Sequence, residues 1–205
     1  MKHQERTPGI LFLLVGPSRV GKDSILKALL NRRSLRLKKL VTMTTRPRRP
    51  REVNGKTYHY VSDATFLQKD KTGGLLEWAP VRHYRFGTPR EPLMTWLRNG
   101  QQVLQQVDVR GAAALRRIPG LNTVTVFILP GSVGELRQRL NKKGFTPAER
   151  RIRWQETLEE LQRQTEFDYR VVNAQGKLNQ AVDEVAVIIR ASLKAPSRHM
   201  ADSAR

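Results

Sequence analysis

Residues 13–26 read "LLVGPSRVGKDSIL". They close an apolar run, "ILFLLV" at 10–15, and open a pattern, "DSILKALLNRR", in which Ile25, Leu26, Ala28, Leu29 and Leu30 recur at helical spacing. Between strand and helix the chain matches G-x-x-x-x-G-K from Gly16 to Lys22. In such a loop the backbone N–H groups turn toward phosphate oxygens, and the helix start adds positive potential. Gly16, Pro17, Ser18, Arg19, Val20, Gly21 and Lys22 therefore read as a phosphate-binding loop, with Lys22 as its charged tip. Two residues depart from the pattern. Arg19 stands where glycine is easiest to accommodate; if the position needs positive φ, the side chain costs about 1 kcal/mol. Asp23 stands where a serine or threonine hydroxyl normally ligates magnesium. Carboxylate oxygen suits that ion, but it repels phosphate unless the metal lies between them. Ser24 comes one residue too late to replace the hydroxyl.

Outward from the loop, apolar strands alternate with helical patterns. "KKLVTMTTR" reads as a second strand running into a basic loop. "GKTYHYVS" and "LLEWAPVRHYRFG" are rich in aromatic and β-branched residues and predict a small antiparallel lobe. "PREPLMTWLRNG" predicts a helix ending at Gly100. "QQVLQQVDV", "TVTVFILPG" and "FDYRVVN" read as strands, and "GAAALRRIPG" and "LNQAVDEVAVIIRASL" as helices. Capping boxes mark two more helix starts, Ser132 with Glu135 and Thr146 with Glu149, the latter with Pro147 at the first helical position. Alternating strands and helices imply a parallel sheet covered on both faces, with ligands beyond the carboxyl ends of its strands.

The chain has 205 residues and no cysteine, which excludes disulfides and cysteine–metal sites and fits a reducing compartment. Lys+Arg number 38 against 18 Asp+Glu, a net charge of +20. That balance favours polyanions such as phosphorylated small molecules. Nucleic acid is a possible partner but not the expected main one, because no familiar nucleic-acid motif organises the charge. No apolar run approaches the ~20 residues that span a membrane. A cytoplasmic protein, monomer or homodimer, is expected.

From about Ile10 to Ile189 the chain resembles guanylate kinase, in the motifs "GPSRVGKDS", "TTRPRRPREVNGKTYHYVS", "LLEWAPVRHYRFGTPR", "VLQQVDVRGA", "FILPGSVGELRQRLNKKG" and "FDYRVVN", taken in that order. The resemblance implies an α/β fold. A P-loop parallel sheet flanked by helices forms the core (about 8–40 and 100–190). A small mixed or antiparallel GMP-binding lobe (41–95), a helical lid (138–155) and a flexible tail (194–205) complete it. It implies transfer of a phosphoryl group from ATP to GMP with Mg2+, for which Asp23, a departure from the family's hydroxyl, is the candidate ligand by its carboxylate chemistry. By the same resemblance, Arg46, Arg49 and Tyr58 hold the acceptor phosphate, where a planar guanidinium grips oxygens in pairs. Glu77 and Asp108 accept from the guanine N–H groups, Thr42 and Thr88 face its O6, and Phe86 stands where the family has tyrosine. Arg139, Lys143 and Arg153 close over the ATP phosphates, and Asn173 lies near the adenine.

Gln106 stands where the family has the first aspartate of "D-I-D". A carboxylate is lost at 106 and gained at 23, and the strand end holding 106 should lie close to the loop. Asp23 is therefore expected to take over metal-site charge that Gln106 does not supply. Ribose 1,5-bisphosphate phosphokinase shares this fold and the "GKDS" reading, but has no need of the guanine-reading segments. A catalytically impaired GMP-binding or interaction module is the remaining alternative.

Overall fold

The apolar run at 10–15 is buried throughout the strand it forms. The computed structural model describes residues 7–141 and 145–194. Lys143 and the expected tail from 195 onward lie outside them. In chain order the strands are β1 (Leu11–Val15), β2 (Lys38–Lys39), β3 (Met43–Thr44), β4 (His59–Tyr60), β5 (Leu75–Val81), β6 (Tyr84–Pro89), β7 (Val103–Gln106), β8 (Thr123–Pro130) and β9 (Tyr169–Asn173). The helices are α1 (Lys22–Leu30), α2 (Asp63–Lys71), α3 (Arg90–Arg98), α4 (Val109–Arg116), α5 (Val133–Asn141), α6 (Pro147–Gln162) and α7 (Leu178–Lys194).

A five-stranded sheet runs β2-β7-β1-β8-β9, and its pairings are all parallel. Alternate residues of β1 feed two apolar clusters. Phe12 and Leu14 pack with α1 and α7, while Leu11, Leu13 and Val15 pack with α3 and α4. Helices on both faces explain why β1 is continuously hydrophobic and not alternating. A second sheet, β4-β3-β6-β5, stands apart. It is mixed: β3 pairs with β4 in parallel and with β6 antiparallel.

Two sequence expectations change. "KKLVTMTTR" is not one strand, because Lys38–Lys39 pair with β7 and Met43–Thr44 with the second sheet. The break lets the chain leave the core for the lobe. Helix α2 was not expected; Ser62 caps it by accepting from the Thr65 N–H at 3.2 Å, and Phe66 anchors it. Its weak apolar pattern hid it. Of the expected capping boxes, that of Thr146 is complete. At Ser132 only half forms: the Glu135 N–H donates to Ser132 Oγ at 3.1 Å, but the Glu135 carboxylate turns to Arg139 and the Gln175 N–H.

Strands β8 and β9 are tied by side chains as well as by their ladder. Asp168 Oδ2 accepts from Thr125 N at 2.8 Å and from Thr125 Oγ1 at 2.6 Å, and Asp168 N donates back to that hydroxyl at 3.0 Å. Thr125 is wholly buried, so removing the carboxylate strands its donors. Asp168→Ala should lower stability by about 2 kcal/mol, a fall in melting temperature of roughly 4–8 °C, read by calorimetry.

Candidate functional site

The loop after β1 is shaped by contacts that admit no side chain. At Gly16, with φ 131°, a Cβ would meet the Ile128 carbonyl oxygen at 2.6 Å. At Gly21, with φ 102°, it would lie 2.3 Å from Asn173 Nδ2. That amide donates to the Val20 carbonyl at 2.8 Å. Arg139 donates to the Val20 carbonyl at 3.5 Å and the Asn173 carbonyl at 3.3 Å, and pairs with Glu135 at 3.4 Å. Asn173 and Arg139 thus brace the loop from behind. Asn173 is buried, and its amide is bonded to the loop backbone. Arg19 does sit at positive φ, 69°, and its exposed side chain carries the strain expected there.

Lys22 opens α1 and folds back on the loop, donating to the carbonyls of Gly16 at 2.5 Å and Pro17 at 2.9 Å. Burial lowers its pKa, opposed by Glu160, Asp23 and Asp108. Asp23 and Gln106 meet as the sequence implied: Gln106 Nε2 donates to Asp23 Oδ1 at 2.6 Å. Ser24 is exposed in the same turn.

Between the loop and the second sheet lies a cleft of about 720 Å³ that runs into a deeper one of about 310 Å³. Thr42, Tyr58, Phe86, Gln106 and Arg153 border both. Asp23, Arg46 and Arg49 border the outer part; Gly16, Ser18, Lys22, Glu77, Thr88 and Asp108 border the inner.

In the outer part, Arg46 is nearly buried and aligned by Glu52, to which its NH2 donates at 2.8 and 3.0 Å. Tyr60 Oη donates to the same carboxylate at 2.8 Å, and so does the Arg49 N–H. Burial pushes Glu52 up, but these bonds outweigh it and hold the carboxyl at about 2. Tyr58 packs edge-on against Phe86, and its pKa is raised by burial and then by Asp23.

In the inner part, Thr88 Oγ1 donates to Glu77 Oε1 at 2.5 Å. The Thr88 proton expected to face a base oxygen is thus already given to Glu77. Asp108 caps α4, accepting from the Gly111 N–H at 2.7 Å. Gly111 leaves room: a Cβ there would lie 3.2 Å from Glu77 Oε2 and 3.3 Å from Asp108 Oδ1. Burial drives the Glu77 carboxyl to about 7, with Thr88 opposing and Asp108 adding to the rise.

Helix α6 carries the expected Arg153 and three residues that motif reading missed, Glu156, Thr157 and Glu160. All four recur at helical spacing and border the inner cleft. Burial raises Glu160 to about 7 against the pull of Lys22. Glu156 accepts from Arg82, in the turn between β5 and β6, at 2.9 Å, joining helix to lobe. Arg153 stacks on the Phe145 ring at 3.8 Å. The signal was present in the i, i+3, i+4, i+7 polar stripe following the Thr146 cap. Gln105 and Glu52 were missed as well.

A sequence model described as guanylate kinase matches residues 9–192. The chain belongs to the guanylate kinase family. It is 37% identical over 183 residues to a guanylate kinase of Thermotoga maritima, covering 89% of this chain and 86% of that protein. To one of Nitrobacter hamburgensis it is 39% identical over 189 residues, covering 91% and 83%. The solved guanylate kinase of Anaplasma phagocytophilum superposes with a TM-score of 0.77 at 26% identity, over 94% of this chain and 90% of that one. Family membership makes this chain an enzyme, a kinase, and supports neither the sugar-phosphate kinase nor the impaired module.

Among the described residues no three or more His, Cys, Asp or Glu side chains gather as a metal cage. Magnesium in phosphoryl transfer sites commonly takes one or two carboxylates, waters and the substrate phosphates. Asp23, in the first turn of α1 beside Lys22, fits that sparse donor set.

A carboxyl raised to about 7 binds its proton in the native state while the unfolded chain has lost it. Folding stability therefore falls as pH rises from the ordinary carboxyl range through 7, and the whole penalty stands above that. Glu77→Gln removes it. The variant should melt several degrees higher than the parent at pH 8 and close to it at pH 5, by calorimetry.

Proposed function

We propose that this chain transfers the terminal phosphoryl group of ATP to GMP, giving ADP and GDP, as its family name implies. The observation that carries the reading is the convergence of a braced phosphate loop, the Glu77–Asp108 carboxylate pair and the Arg46, Arg49 and Tyr58 group on one cleft. The loop amides and Lys22 hold the ATP phosphates. Arg46, preset by Glu52, receives the GMP phosphate with Arg49 and Tyr58. Glu77 and Asp108 accept from the guanine N1–H and amino group, and Thr42 is left to face O6. Phe86 packs against Tyr58 and lends the acceptor side no hydroxyl. Arg139, Lys143 and Arg153 neutralise charge that spreads over the transferring group. Such catalysis is positioning and electrostatics, without a covalent enzyme intermediate. Asp23, with Gln106 beside it, would hold Mg2+; when bound, that ion neutralises phosphate charge. A cytoplasmic location goes with this reading.

In a coupled ADP-release assay, GMP and dGMP should serve as acceptors. AMP and ribose 1,5-bisphosphate should show kcat/KM at least about a hundredfold lower. Activity on the sugar phosphate alone would overturn the assignment. The exchanged carboxylate is tested separately. Asp23→Ser should cut kcat by about a hundredfold or more, and adding Gln106→Asp should restore most of it. A fully active single variant would dismiss the exchange.

A further inference from the structure

Gln105 has no part in the reaction as described, yet it is a buried amide that borders both parts of the cleft. It lies in β7 next to the wholly buried Leu104 and is itself 2% exposed. Its Nε2 donates to Thr88 Oγ1 at 3.1 Å, and that hydroxyl donates to Glu77 Oε1 at 2.5 Å. Its Oε1 is buried and has no hydrogen-bond partner among the described residues. An apolar side chain would fill the position without stranding an acceptor, so the amide is kept at a cost to stability.

A threonine hydroxyl has one proton and a free rotor. An N–H aimed at its oxygen from β7 prevents that proton from turning back toward β7. The proton then goes to the carboxylate on the other side. We propose that Gln105 is a positioning residue for the base, directing the Thr88 proton onto Glu77 so that Glu77 remains an acceptor for the guanine N1–H and amino donors. It acts through Thr88. The inference rests on the assignment of Glu77 to guanine.

The chemistry at stake is the polarity of one carboxyl. Ionised, Glu77 accepts twice and suits guanine. Protonated, it offers a donor to an acceptor such as adenine N1, and discrimination weakens. Its ionisation is finely balanced, since burial and Asp108 raise it while the Thr88 bond opposes them. The other titratable groups on the inner cleft are Lys22 from α1, Tyr58 and Arg82 from the lobe, and Arg153, Glu156 and Glu160 from α6. None of these makes a hydrogen bond to Thr88.

The test is Gln105→Met, which keeps the length and removes both polar ends. The rise of kcat/KM for GMP with pH should move up by about one unit. At pH 7 its value should drop about fivefold, approaching tenfold below pH 6, with AMP gaining relative to GMP. The KM for ATP should not change, and the melting temperature should stay or rise. In a Thr88→Val background, where there is no rotor to direct, Gln105→Met should add nothing. An unmoved pH profile, or a full further loss in that background, overturns the proposal. Glu77→Gln is the control. If it leaves the preference for GMP over AMP intact, the base-reading assignment itself fails and takes this inference with it. If it destroys the preference while Gln105→Met is silent, only the role of Gln105 falls. Gln105→Leu is carried in parallel, and failure of both variants to fold would mean that the residue merely holds the core.

Discussion

The Val20 carbonyl is the point on which the nucleotide side of this protein depends. Asn173 at the end of β9 donates to it, Arg139 from α5 approaches it, and Gly21 is bare so that Asn173 can reach. That contact joins β9 and α5, distant in sequence, to the loop between β1 and α1. It fixes where Lys22 begins its helix, and so where Asp23 meets Gln106 across the sheet. Backbone donors can cradle an anion only if the loop is held before the anion arrives. Here the holding is done from behind, by Asn173 and Arg139.

The same cleft shows how a strongly basic chain avoids turning its site into an undirected positive surface. Arg46 is not left loose: Glu52 fixes its orientation and is itself held ionised by that contact. Deeper in, the arrangement inverts. Glu77 and Glu160 lie where water is scarce and hold their protons up to about neutral pH. The outer cleft is fitted to phosphate and the inner cleft, once Glu77 ionises, to donors, and one ligand with an anionic end and a donor-rich end satisfies both.

Much of this was legible in the sequence because the signals were local. Glycine spacing, a preceding apolar run and a following helical pattern are enough to place the loop, and Thr146-Pro147 enough to place a helix start. The proximity of residues 23 and 106 was also foreseeable, since strand order brings the end of β7 beside the loop. What escaped notice was tertiary. Helix α2 has almost no apolar stripe and exists because Phe66 has a pocket to fill. Gln105 looks like any glutamine until the strand buries it. The hold of Asn173 on the Val20 carbonyl joins residues far apart in the chain, so no local signal announces it. The parting of "KKLVTMTTR" between two sheets depends on partners the segment does not contain.

The bridge between Arg82 and Glu156 has a consequence for how the two halves of the cleft communicate. It is partly exposed on both sides, so it contributes only about 0–1 kcal/mol. A tie of that strength is comparable to thermal agitation. It sets a resting separation between the lobe turn and α6 without resisting displacement from it. Whatever draws the lobe inward also tugs on the helix that carries Arg153, and the reverse holds with equal size, because free-energy coupling between two sites is reciprocal. The pair thus links the lobe turn to α6 without locking either in place.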